Sequence, residues 1–312
     1  MWEMEEGKLF FMQIFNGKGK LVKRKRKDLR KRANILGSGW KDFFFVLPSL
    51  CGVSVFVFLP FVDVVRRSFT NLTGSRFTGF LNYREVWENR AFRLAMGNTL
   101  KFLGACVPLL LGASLLLACL VYSGCVKWYQ NVCLLPMAVP AASLVFVWKM
   151  VFARYGVLNS AFSLSIDWLN SSSAFWVLSA TFLWKNMGYY VVLWMTGLSG
   201  IPKSLYEAAS LDGAGALAKF RYVTLPGLRP MADAVCILAV TGVFKSYRES
   251  YLLAGEYPDK SIYMVQHMFH NWFRDMSMEK MSAAAVAVTC MFAVLVYPFR
   301  KRGGGNLGTF HP

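Results

Sequence analysis

Hydrophobic residues in this chain fall into six long blocks separated by short polar stretches. The blocks cover residues 43–65, 98–122, 131–152, 174–198, 230–254 and 281–299. At about 1.5 Å of rise per residue, each is long enough as a helix to cross a hydrocarbon core of about 30 Å. Every block contains Gly, Pro or Ser, which a spanning helix tolerates when neighbouring helices satisfy the backbone groups they free. The pattern predicts an all-α integral membrane protein with six transmembrane helices. The expected organisation is a basic tail over residues 1–40, a six-span body over 41–302 and a short tail over 303–312.

One polar stretch stands apart. Residues 201–230, "IPKSLYEAASLDGAGALAKFRYVTLPGLRP", put helix formers, acid, glycine and proline between blocks four and five. Pro202 and Ser204 are helix-start residues, and Ser204 with Glu207 has the S-x-x-E spacing of a capping box. "LYEAASLD" then favours helix, and Gly213 is a natural stop. A second helical segment, Ala216 to Tyr222, is expected to break at Leu225-Pro226-Gly227, and Pro230 to open block five. The prediction is two short helices joined by a glycine corner, held close under the membrane. Such a knob transmits force, whereas a disordered connector absorbs motion by sampling conformers.

Composition agrees with a membrane chain. It is 55% hydrophobic and 16% aromatic, and only 17% charged, against roughly 25% charged in soluble domains. Thirty-five bases against 17 acids give a formal charge of +18. In a soluble protein that balance would suggest nucleic acid. Here the bases gather at block edges, so lipid and topology explain them and no nucleic-acid partner is expected.

The densest cluster, "KRKRKDLRKR" from Lys23 to Arg32, stands before block one, and Arg300 to Arg302 follow block six. An even number of spans puts both on the cytoplasmic side, with the 201–229 loop. Arg66, Arg67, Arg76, Arg84, Arg90 and Arg93 run against this bias, so the orientation rests on the amino-terminal cluster. The first forty residues lack an apolar stretch ending in a small-residue cleavage site and do not read as a cleavable signal peptide. Cys51, Cys106, Cys119, Cys125, Cys133, Cys236 and Cys290 have no paired spacing and read as small packing residues. His267 and His270 are three apart, but a metal needs more ligands than two, and none is expected.

The loop residues match a family. Glu207-Ala208-Ala209, then Gly213, then Val223-Thr224-Leu225-Pro226 resembles the EAA signature of permease subunits in ATP-binding-cassette importers. It is most similar to the maltose-type, binding-protein-dependent carbohydrate branch. "NTLKF" at Asn98, "LPMAVPAASLVFVWKMVF" at Leu135, "GVLN" at Gly156, "LSGIP" at Leu198 and "SAAAVAV" at Ser282 fall where that branch has similar strings. "EYPDK" from Glu256 to Lys260 departs from it, standing where a Gly-Gly-Pro turn is common.

The resemblance implies that the loop is a coupling helix docking into a groove of a cytoplasmic ATPase. Glu207 would sit near the centre of that contact. Leu205, Tyr206, Ala208, Ala209, Asp212 and Gly213 would surround it, since a helix in a groove presents anchors at i, i+3 and i+4. The implied partners are a second permease chain, two ATPase subunits and an extracytoplasmic solute-binding protein, assembled in a bacterial or archaeal cytoplasmic membrane. The chain has no G-x-x-x-x-G-K-[ST], so ATP, the only nucleotide implied, is bound by the partner subunits.

Polar residues inside spans are costly and usually face a cavity. Lys185, Asn186 and Tyr190 in block four, and Lys245, Tyr247, Arg248 and Glu249 in block five, are the candidate pathway residues. The alternative for the block-five charges is a structural ion pair, with Lys185 as one partner for Glu249. Lys185 lies about 16 Å below the start of its block, near the midplane. Trp148, Trp184, Tyr189, Tyr190 and Trp194 could stack on sugar rings or simply fill cores and interfaces. Ala283, Ala284, Ala285 and Ala287 read as a close helix contact. "SIYMVQHMFHNWF", residues 261–273, predicts a short helix lying on the membrane surface, apolar side down.

The reading is a non-enzymatic permease subunit that imports an oligosaccharide or related sugar. The excess of cations at the outer end keeps an anionic sugar or a glycerol phosphate open. A self-standing carrier or channel is the alternative from another class.

Overall fold

The computed structural model describes residues 44–124 and 135–303. The basic cluster Lys23 to Arg32, Cys125, Cys133, the expected tail 1–40 and all of the expected tail 303–312 but its first residue lie outside them. Among the described residues the fold is helical, with one isolated β-bridge, Thr70 to Phe77, and no strand.

The chain divides into two units, residues 1–63 and 64–312. The first contributes most of helix α1, Phe44–Ser68, whose apolar stretch holds no buried residue. Pro60 lies inside α1 and is preceded by a π-turn, Ser54–Phe58, closed by the Leu59 N–H on the Ser54 carbonyl. Proline lacks an N–H and crowds the carbonyl four residues back; widening the previous turn relieves both.

The second unit holds α2 (Leu81–Glu88), α3 (Arg90–Tyr122), α4 (Ala141–Phe152), α5 (Val157–Ala161) and α6 (Ala174–Ser199). The loop helices follow: α7 (Lys203–Leu211) and α8 (Ala216–Gly227). Helices α9 (Arg229–Lys245), α10 (Tyr247–Ala254), α11 (Val265–Arg274) and α12 (Met278–Gly303) complete it.

Helices α3 and α6 form the spine of this unit. Phe102 of α3 meets Phe182 and Phe175 of α6 edge to face. Trp194 donates its indole N–H to the buried Ser114 hydroxyl at 3.0 Å, so its polar edge is satisfied inside the core as a buried indole requires. A second core joins α2, α3, α11 and α12 through Val86, Phe92, Ala95, Val265, Met268, Trp272, Ala283, Ala284 and Val288. Ala283 and Ala284 are fully buried, as the close-contact reading of block six expected.

Among the described residues four helices are long and apolar enough to cross a membrane: Phe44–Ser68, Arg90–Tyr122, Ala141–Ala161 and Met278–Pro298. A fifth arises if Ala216–Gly227 and Arg229–Ala254, bent by 70°, make one span. Block four forms the 26-residue helix α6, long enough to span, but Lys185, Asn186, Tyr189 and Tyr190 dilute its apolar content. Block three differs in position. Residues 131–134 lie outside the described residues, a short helix covers Leu135–Ala138, and the helical run resumes at Ala141, because Pro140 disfavours the helical conformation at Val139.

Helix α11 corrects one expectation. It starts at Val265 rather than Ser261, and its apolar face is covered by protein, since Val265, Met268 and Trp272 pack on Phe92, Ala95 and the small residues of α12. Among the described cysteines, Cys106 is buried as a packing residue should be, but Cys51 and Cys290 are exposed.

Candidate functional site

The loop between α6 and α9 is a fastened structure, built as follows. Helix α7 is capped by Pro202 with no side-chain hydrogen bond, so the Ser204–Glu207 capping box does not form. Pro202 takes the cap position, which puts Ser204 one residue inside the first turn. The far end follows expectation. Gly213 has φ +77°, and the Ala214 and Gly213 N–H groups donate to the Ala209 and Ser210 carbonyls at 2.9 and 3.1 Å. This is a Schellman cap, in which the left-handed residue favours glycine.

Helix α8 does not break at Leu225-Pro226-Gly227. A π-turn over Phe220–Thr224, closed by the Leu225 N–H on the Phe220 carbonyl, carries the helix past Pro226 by the device seen at Pro60. The bend falls at Leu228, and Pro230 sits in the first turn of α9 as its fixed φ favours.

Two close approaches fasten the ends of the loop together. A Cβ on Gly227 would lie 2.9 Å from Ile201 Cδ1, and one on Gly197 would lie 2.9 Å from Leu228 Cδ2 and Met231 Cγ. Only glycine lets these segments touch. Ile201 and Leu228 are buried there. Higher up, the Tyr206 hydroxyl meets the Thr224 hydroxyl at 2.9 Å. Tyr206 therefore turns inward, while Leu205, Glu207, Ala208 and Asp212 are exposed and Ala209 is half-buried. Leu211 and Leu217, 90% and 81% exposed, extend this outward face. The sequence reading passed over both, because a leucine in an amphipathic segment reads first as core.

Inside the bundle, Lys185 of α6 and Glu249 of α10 form a partly buried ion pair. Of the alternatives for the block-five charges, the ion pair is thus present. Asn186 donates to the Phe182 carbonyl of its own helix at 2.8 Å. Tyr190 is buried in the core with its hydroxyl against Gly242, and Tyr247 is half-buried. Lys245 and Arg248 are exposed. Trp148 and Trp184 meet at right angles, 5.4 Å between centroids. Trp194, also a candidate for sugar stacking, is the core residue bonded to Ser114.

Loops at the other end of the bundle hang on buried asparagines that sequence reading did not single out. Asn98 donates to the Lys260 and Tyr263 carbonyls at 2.6 and 3.0 Å. Asn159 donates to Arg154 and Ile166 carbonyls and accepts from the Trp168 indole at 2.7 Å. Asn82 donates to the Ser68 and Thr70 carbonyls. In the divergent "EYPDK" segment, Glu256 pairs with Arg274, which also donates to the Tyr257 hydroxyl at 2.6 Å. Hydrogen bonds from Ser261 hold the Asp259 carboxyl below its ordinary range. His267 is fully buried, and its Nδ1 accepts the Met264 N–H at 3.1 Å. Burial pushes it down to about 4, so the ring is neutral with its proton on Nε2. Among the described residues no group of three His, Cys, Asp or Glu could hold a metal.

A helical membrane subunit with a stiff loop fastened at its ends, and with polar groups paired across two of its helices, is the class that fold and site define. The chain belongs to the family of binding-protein-dependent transport system inner membrane components, whose family model matches residues 110–300. It is a permease subunit of an ATP-binding-cassette importer and not itself an enzyme, which bears out the reading drawn from Glu207 to Pro226 and sets aside the self-standing carrier. It is 29% identical to the arabinooligosaccharides transport system permease protein AraP of Bacillus subtilis, over 69% of this chain and 75% of that one. It is 31% identical to the sulfoquinovosyl glycerol transport system permease protein SmoG of Agrobacterium fabrum, over 72% and 78%. A crystal structure of a bacterial ABC transporter involved in importing the acidic polysaccharide alginate shares the fold, with TM-score 0.74 and 17% identity over 89% of this chain and 99% of that one.

Proposed function

We propose that the chain is one half of the pathway of an oligosaccharide importer, with six spans and both termini cytoplasmic. The observation that carries this reading is the loop tied at Ile201–Gly227, Gly197–Leu228 and Tyr206–Thr224, with Glu207 held outward. A tied knob moves as a body. Helix α7 docks in a groove of a cytoplasmic ATPase, with Glu207 central, Leu205, Ala208, Ala209 and Asp212 around it, and Gly213 turning the chain away. Leu211 and Leu217 add apolar contact. When two ATPase subunits close on ATP, the knob is carried with them and the spans tilt. A second, different permease chain completes the pathway, and an extracytoplasmic binding protein delivers the sugar.

Lys185, Asn186, Lys245, Tyr247, Arg248 and Glu249 line the passage, and Tyr190 supports it from behind. Block four, though diluted by these residues, counts as a span because polar groups facing a cavity do not meet lipid. Arabino-oligosaccharide import by the relative AraP supports a neutral substrate, as does neutralisation of Lys185 by Glu249. A second reading, an anionic sugar, is favoured by the exposed Lys245 and Arg248, which flank Ser246 three residues apart.

The test is co-purification with a maltose-type ATPase, then with Glu207→Lys. Binding by the native chain that Glu207→Lys abolishes is expected. Native protein that binds no ATPase yet transports alone would overturn the reading. Uptake of neutral against uronic oligosaccharides, with the cognate binding protein, decides the substrate class.

A further inference from the structure

Span five is interrupted at one residue. Ser246 separates α9 from α10, and its N–H reaches back only three residues, to the Val243 carbonyl at 3.2 Å. The residues on either side, Lys245 and Tyr247, are both proposed pathway residues. The run Arg229–Ala254 otherwise continues as one helix, and a single three-residue hydrogen bond within it is the point at which the pathway face of α10 can turn relative to α9.

Helix α11 touches this point in three successive places. Gln266 donates its amide to the Phe244 carbonyl at 3.3 Å, two residues before the interruption. The His267 ring meets the Tyr247 ring edge to face, 4.9 Å between centroids, one residue after it. One turn on, His270 meets Tyr251 at 5.1 Å. The His267 ring is itself held: Nδ1 accepts from Met264, and Tyr263 stacks on it at 5.5 Å. Tyr263 is fixed in turn by the Asn271 amide at 2.9 Å.

The other side of α11 is anchored to α3. The Val265 N–H donates to the Thr99 hydroxyl at 3.1 Å, and Asn98 holds the Lys260 and Tyr263 carbonyls. At its far end Phe273 and Met276 are exposed. Helix α11 thus links an exposed edge, through a buried histidine, to the one-residue break beside the Lys185–Glu249 pair.

We propose that α11 is a strut across the Ser246 interruption, with Gln266 and His267 as positioning residues, so that docking of the extracytoplasmic binding protein on α11 sets the angle of the pathway face of α10. This rests on the proposed function: residues 245–249 line the passage, and the end of the bundle that carries α11 is the one the binding protein meets. Simple packing would make the same contacts, but packing is indifferent to the binding protein, and a strut is not.

The experiment uses the whole transporter in proteoliposomes with its binding protein and sugar. His267→Asn keeps an acceptor for the Met264 N–H and removes the ring from Tyr247. Gln266→Met removes the donor at similar volume. Basal ATP hydrolysis is expected to stay within about twofold, while stimulation by the loaded binding protein falls about fivefold or more, the usual lower range of a coupling between sites. In parallel, Lys245→Cys is labelled with a water-soluble thiol reagent in the nucleotide-free and ATP-trapped states, above the background of the native cysteines. In the otherwise native chain the two states differ; in His267→Asn the difference collapses. Stimulation retained in full, or lost only in step with basal activity and assembly, overturns the strut. Should His267→Asn fail to assemble, Gln266→Met decides by the same two readouts. A labelling contrast that survives in both variants overturns the strut and leaves the pathway reading standing. No contrast in the native chain removes the pathway reading and the strut with it.

Discussion

Tyr206 and Glu207 are neighbours in sequence and face opposite ways: the Tyr206 hydroxyl is bonded to Thr224 at 2.9 Å, while Glu207 is exposed. One turn of helix thus carries both the tie to α8 and a carboxylate held outward. Tyr206→Phe should remove that tie at a stability cost of about 1 kcal/mol. Docking should survive. Sugar moved per ATP hydrolysed should fall more than hydrolysis itself. An unchanged ratio in reconstituted transporter would show that the tie has no part in coupling.

Gly227 touches Ile201 where a methyl would sit 2.9 Å from Cδ1 and 3.0 Å from Cγ1. Gly227→Ala should destabilise the assembled subunit by about 1–3 kcal/mol, the range for overpacking a filled site. Adding Ile201→Val, which removes Cδ1, should recover part of the loss. The check is the thermal aggregation midpoint in detergent of the two variants against the parent.

The Lys185–Glu249 pair is partly buried, with side chains 22% and 19% exposed. Replacing either partner alone leaves an uncompensated charge and should cost as much as about 3 kcal/mol. The double variant Lys185→Met with Glu249→Leu should be milder than either single change. A double-mutant cycle on folded yield measures the coupling. Additive losses would mean that the two groups do not depend on each other.

His267 supplies a pH dependence. Burial lowers it from 6.5 to about 4. Between those values the unfolded chain binds the proton and the folded chain does not, so stability rises with pH across that window. Acidification from pH 7 should therefore lower the thermal midpoint progressively, with this contribution levelling below about 4. In His267→Asn the same titration should be flatter between pH 6.5 and 4. An identical slope in both proteins would exclude His267 as its source.

How much of this could be read from the chain alone depended on range. The Gly213 stop and the Pro230 start were legible because each rests on one residue's own backbone preference. The Ser204–Glu207 box was misread because Pro202 competes for the cap and wins. Passage of α8 through Pro226 was hidden, since a π-turn has no residue signature. Lys185 and Glu249 are 64 residues apart; sequence marked both as costly in lipid and offered their pairing only as one option. Asn98 and Asn159 entered only as parts of strings shared with the family, because the carbonyls they hold are not visible in the sequence. The apolar face of α11 was recognised, but hydropathy does not distinguish lipid from the Ala283–Ala284 surface that covers it.

The fastened loop has one more implication. Its two feet join the end of α6 to the start of α9 through Gly197, Ile201, Gly227 and Leu228, and the Lys185–Glu249 bridge joins α6 to α10 farther along. The two limbs are thus bolted twice, and a torque on the tip cannot scissor them apart. On the proposed reading, a pull at the tip reaches both limbs at once, and the Lys185–Glu249 bridge hands it on to α10 at the wall of the passage.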